Sequence, residues 1–112
     1  MNPTWVKEFG AAITICDADG IILEMNDRAA QNFAASGGRQ LIGSNVLDCH
    51  PEPARSRLAQ MLQEPRLNVY ITEKQGVHHL VYQAPWFEDG CYAGLVEIIM
   101  DVPQNIPHVI RD

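Results

Sequence analysis

The sequence predicts an α+β fold: a five-stranded antiparallel sheet with helices packed on one face, in the order β-β-α-α-α-β-β-β. Three observations carry this expectation. Two long β-type runs, 77–87 and 91–102, flank Asp89-Gly90. That dipeptide is a strong hairpin signal, because type I′ turns need positive φ at both central positions. Two shorter apolar runs flank Asp17-Ala18-Asp19-Gly20 in the same way. Between the hairpins, apolar residues recur at helical spacing, and helices joined to an antiparallel sheet bury its apolar face.

The elements follow in order. Trp5 and Phe9 stand four apart and suit a short amphipathic helix or turn. Residues 11–16 form a first strand, Asp17 to Gly20 a turn, and residues 21–25 a second strand. Asn26 or Asp27 is a helix N-cap. The alanine-rich helix 28–35 ends at Gly37-Gly38. Residues 39–50 are irregular, with a turn near Leu41-Ile42-Gly43. A longer helix covers 52–63: Pro53 sits early, where a missing N–H is harmless, and Pro65 stops it. Residues 67–74 form a third strand, and Gln75-Gly76 turns into the final hairpin.

Composition bounds the function. A chain of 112 residues makes one domain. Its expected parts are an N-terminal cap segment 1–10, a domain over 11–103 and a tail 104–112. A net charge of −6 argues against a nucleic-acid surface. No apolar run approaches the roughly 20 residues of a membrane span, and no signal peptide is visible. Cys16, Cys49 and Cys91 are odd in number and widely spaced, which suits reduced thiols in a cytoplasmic protein.

The words of the chain, in their order, resemble the PAS domain family. They are Ile15-Cys-Asp-Ala-Asp-Gly-Ile-Ile-Leu-Glu-Met-Asn26, the stretch from Asp27 to Phe33, Leu41-Ile-Gly43, His50-Pro51, and Gly76 through Pro103. The likeness covers about residues 10–103. It implies a sensory module of signal transduction, with outputs such as transcription regulation, that binds a small molecule or a signalling partner and forms a homodimer. It implies no enzyme. One departure stands out: relatives often end the last strand with Asp-Ile-Thr leading into a signalling helix, whereas here the chain reads Asp101-Val102-Pro103. Pro103 and Pro107 cannot propagate a regular helix. The expectation is a stand-alone PAS protein or a piece of a longer one, signalling by association.

Period-2 alternation divides the final hairpin into two faces. With Glu88 opposite Cys91, Tyr82 falls opposite Glu97 and Leu80 opposite Ile99. His79, Val81, Gln83, Ile98 and Met100 then share the more apolar, helix-covered side. Leu80, Tyr82, Leu95, Glu97 and Ile99 share the other, which Trp5 and Phe9 or a second subunit would cover. A slip of one residue reverses such an assignment. The expected pocket lies between the sheet and the two helices, lined by Ile15, Leu23, Phe33, Val46, Leu58, Val81, Ile98 and Met100. His79 and Gln83 would orient a ligand in it.

Other candidates carry less. His50 opens the long helix and is a conceivable axial haem ligand, given that some PAS domains bind haem through a histidine on this helix. A cap or turn histidine is the simpler explanation. His78 and His79 point to opposite faces and cannot jointly chelate a metal. Asp17 and Asp19 are explained by turn chemistry. No phosphate loop, metal-spaced cluster, Ser/His/Asp set or flavin-linking cysteine motif is present, and no cofactor is assigned. Three readings follow: a small-molecule sensor, a docking module without ligand, and a haem-binding redox or gas sensor.

Overall fold

A computed structural model describes residues 4–112; residues 1–3 of the expected cap segment lie outside the described residues. The first helix, α1 (Thr4–Lys7), precedes a hairpin of β1 (Ala12–Asp17) and β2 (Ile22–Met25). Helices α2 (Asp27–Asn32) and α3 (Ala54–Gln63) lead across to β3 (Asn68–Lys74), β4 (Val77–Glu88) and β5 (Cys91–Asp101). The five strands form one sheet in the order β2-β1-β5-β4-β3, and every neighbouring pair is antiparallel. The helical crossover carries the chain from one edge to the other, so the last strand closes against the first.

Turn chemistry places the strands. Gln75 and Gly76 have φ of 55° and 79°, and Asp89 and Gly90 have 52° and 80°. Both loops thus have the doubly positive φ that a two-residue I′ hairpin demands. At the first hairpin the Asp17 carboxylate accepts from the backbone N–H of Asp19 and Ile21, each at 2.9 Å. Pro85 lies on β4 beyond Gln83, where pairing with β3 has already stopped, so its missing N–H leaves that ladder intact.

The helical crossover is more broken than its composition predicts. α2 stops at Asn32, and three short 3₁₀ turns follow at Ala34–Ser36, Gly38–Leu41 and Val46–Cys49. The intervening loop runs along the free edge of β2: Ile22 N–H donates to Ser44, Gly43 N–H to Ile22 and Val46 N–H to Gly20. These bonds cover an edge that would otherwise template other strands. Just before α3 the Glu52 carboxylate accepts both the backbone N–H and the hydroxyl of Ser56, and Met61 and Leu62 of α3 are buried. The core joins them to Ala12, Cys16, Ile22, Met25, Ala29, Val46 and Leu95.

Asn26 ties three segments together. Its Oδ1 accepts from Ile13 N–H at 2.9 Å and, as the N-cap of α2, from Ala29 N–H at 3.0 Å. Its Nδ2 donates to the carbonyls of Val6 at 3.0 Å and Ala11 at 2.8 Å. The side chain is almost wholly buried, and an amide is the group that supplies both acceptors and donors there.

One irregularity decides the use of β5. Phe87 pairs with Tyr92, but Trp86 pairs with Gly94, so Ala93 is an extra residue. This bulge shifts the register by one. Tyr82 therefore opposes Ile98 and Gln83 opposes Glu97, in place of the expected Tyr82–Glu97 pair. The β4 half of the sequence assignment keeps its sides, while the β5 half is inverted. Leu95, Glu97 and Ile99 face the helices, whereas Ile98 and Met100 lie on the open face. Gly94 allows the closure: a Cβ there would stand 1.9 Å from the Cys16 carbonyl oxygen, and its φ is 150°.

Two outcomes test these constraints. Asn26→Ala would strip buried backbone groups in three segments of their partner and lower stability by roughly 3–5 kcal/mol in urea unfolding; a loss under about 1 kcal/mol would contradict the role. Gly94→Ala forces β1 and β5 apart and should abolish cooperative melting or lower stability by more than about 3 kcal/mol, a result read by circular dichroism.

Candidate functional site

Between the sheet and the crossover lies a cavity of about 60 Å³. Ile22, Met25, Phe33, Leu41, Val46, Leu58 and Leu95 supply apolar walls. Its polar groups are few and placed by register. Thr14, Glu97, Gln83 and Asn68 stand in one row across β1, β5, β4 and β3. Asn68 Nδ2 donates to Gln83 Oε1 at 2.9 Å, and Gln83 Nε2 donates to Glu97 Oε2 at 2.7 Å. The carboxylate can only accept, so it fixes the orientation of the Gln83 amide and, through it, that of Asn68.

His50 lies on the opposite wall with Cys49. Its Nδ1 is 2.6 Å from the Val46 carbonyl oxygen. A carbonyl accepts only, so Nδ1 carries the proton, and Nε2 of the neutral ring is an acceptor.

Several sequence-predicted lining residues meet here: Phe33, Val46, Leu58 and Gln83. Val81 is buried on the same side of the sheet. His79 shares that side but lies past the cavity, with Nε2 3.2 Å from Asp101 Oδ1. Arg28 of α2 holds the other oxygen of Asp101 at 3.0 Å, tying α2 to the end of β5. Ile15 and Leu23, expected in the pocket, lie on the open face instead and line a solvent-exposed groove with Trp86. Alternation from Thr14 and Cys16 sends Ile15 outward.

Glu97, Thr14 and Cys49 were not foreseen as cavity residues. The signal for Glu97 was Gly94, because a glycine inside a strand pattern marks a bulge or a close backbone approach. The open face carries Leu80, Tyr82, Ile98 and Met100, with Val69 and Ile71 exposed on β3. Trp5 and Phe9 pack edge to face, centroids 5.6 Å apart, but remain 63% and 47% exposed, and Val6 is the buried residue of α1.

The sequence matches the family profile described as PAS fold over residues 6–105, and the chain belongs to that family. No curated protein sequence matches it. Among solved structures it is similar to the PAS domain of BvgS from Bordetella pertussis, with a TM-score of 0.64 at 19% identity, covering 88% of this chain and 82% of that one. It is similar to the PAS domain of the histidine kinase ThkA, with a TM-score of 0.64 at 21% identity, covering 81% and 98%. The Aer2 receptor from Vibrio cholerae, described as a dual PAS-heme oxygen sensor, gives 0.57 at 21% identity, covering 83% and 95%. These likenesses establish the fold.

Haem does not fit this cavity. Ligand pockets for molecules of drug size run from roughly 300 to 1,000 Å³, several times the 60 Å³ present. The Glu97 carboxylate also lines the space where a porphyrin would need an apolar surface.

Burial pushes the Cys16 thiol above its ordinary 9.0; the nearby Asp17 and Glu97 carboxylates add to this, and a backbone hydrogen bond from Leu95 works against it. Burial likewise raises Tyr70 and Tyr92 above 10.0. The folded state thus holds these protons more tightly than the unfolded chain. Their contribution to stability is complete below the ordinary values and is lost as pH rises through the raised ones. Thermal midpoints should fall above about pH 9. In native protein, thiol labelling read by peptide mass should modify the exposed Cys49 and Cys91 and spare Cys16; equal labelling of all three would contradict its protection.

Proposed function

We propose that this PAS domain is a sensory module that binds a small molecule in the cavity between sheet and crossover and presents the open face of its sheet to a partner, first of all a second copy of itself. The carrying observation is the hydrogen-bonded pair of Glu97 and Gln83, held from behind by Asn68, on the wall of a mostly apolar cavity. An apolar enclosure with a few fixed polar groups is the usual build of a ligand site. The apolar open face supports the association reading, since large exposed apolar patches mark interaction surfaces. A ligand that prefers one arrangement of the crossover shifts the population toward it. The three unpaired thiols suit a reducing, cytoplasmic setting.

A docking module without ligand is the second reading, favoured by the cavity's small volume. An apolar cavity of about 150 Å³ is enough for benzene, and 60 Å³ holds a group of a few heavy atoms. Native mass spectrometry separates the two readings. The sensor reading expects a dimer carrying a small retained mass, or a thermal midpoint raised by added ligand. Leu58→Trp should fill the cavity and remove either response. Ile98→Asp should give a folded monomer. A wild-type protein that is strictly monomeric, and whose stability no small molecule alters, would sink the proposal.

A further inference from the structure

We infer that the cavity recognises a small protonated amine with a short apolar body. The inference rests on the small-molecule reading above and deepens it. Glu97 is the one Asp, Glu, Lys or Arg among the described lining residues. Its Oε2 accepts from Gln83, while Oε1 has no protein donor among the described residues. Buried or half-buried charges are normally paired, and among the described residues Glu97 makes no ion pair.

The other polar groups point the same way. Gln83 has its carbonyl engaged by Asn68 and one of its two N–H donors engaged by Glu97. His50 Nδ1–H donates to the Val46 carbonyl, so in the neutral ring Nε2 is an acceptor. Thr14 stands beside Glu97 in the row, and its hydroxyl can accept. Against two free donors, the Thr14 hydroxyl and the second Gln83 N–H, the wall holds more acceptors, with the unpaired carboxylate oxygen of Glu97 the strongest of them. A primary ammonium group is the complement: three N–H donors, no acceptor and a positive charge. Met25, Phe33 and Leu58 would enclose its apolar body. A carboxylate or phosphate ligand would meet Glu97 with like charge, and the net charge of −6 disfavours anions further. The volume of about 60 Å³ limits the enclosed part to a few heavy atoms.

The test titrates wild type and Glu97→Gln with propylammonium chloride, 1-propanol and sodium propionate at matched ionic strength, read by amide NMR shifts and thermal midpoint. The expected result is saturable binding of the amine at Thr14, Gln83 and Leu58, about tenfold or more tighter than the alcohol. Glu97→Gln should erase that difference, with propionate inert. Equal binding of amine and alcohol, or an unchanged amine affinity in Glu97→Gln, overturns the inference while the small-molecule reading stands. Failure of all three probes counts against both. Should Glu97→Gln not fold, Leu58→Phe fills the cavity without touching the carboxylate; it must abolish amine binding, and retained binding overturns the site.

Discussion

The closure of β5 onto β1 at Gly94 is the constraint on which the site depends. No side chain fits between this residue and the Cys16 carbonyl, and the extra residue at Ala93 is the means by which the strand reaches that contact. Beyond the bulge, alternation is reset. Leu95 turns into the core, Glu97 into the cavity and Ile99 toward the helices, while Ile98 and Met100 turn to the open face. With a regular register, the cavity would lose its only carboxylate among the described residues and the open face would gain a charge.

A second constraint holds the helical side in place. Asn26 bonds backbone on both sides of the first hairpin and at the start of α2. The entry of β1, the exit of β2 and the direction of the crossover are thereby one unit. Arg28, two residues on, grips Asp101 at the far end of β5. The start of the crossover and the end of β5 are thereby joined by an exposed ion pair. Short 3₁₀ turns make up much of the remaining wall. Such turns have poorer hydrogen-bond geometry than an α-helix, so this wall is the part of the enclosure best able to respond to an occupant.

The chemistry of the cavity comes from polar residues placed sparingly. Glu97 orients Gln83, and Gln83 orients Asn68, so the polar row is preorganised before any ligand arrives. The opposite wall adds His50, its proton already committed. The arrangement favours a partner that brings donors and positive charge, and it disfavours an extended aromatic macrocycle both by size and by polarity.

Local φ preference, capping and period are enough to read the strands, both long hairpin turns, the principal helix and an N-cap at Asn26 or Asp27 from the residues alone, and the buried contacts of Asn26 decide between those two. The sequence also placed Phe33, Val46, Leu58 and Gln83 around one space, since they follow from those elements. Three things lay beyond it. The crossover breaks into 3₁₀ turns because its backbone bonds are made with β2, a partner distant in sequence. Ile15 and Leu23 face outward because the side of β1 and β2 that carries Thr14, Cys16, Ile22 and Met25 is the one the crossover covers. The sides of β5 were decided by a single inserted residue, whose position is set by how closely β1 approaches Gly94. Period-2 reasoning carries a face assignment faithfully along a strand until a bulge intervenes, and only the tertiary contact says where that bulge falls.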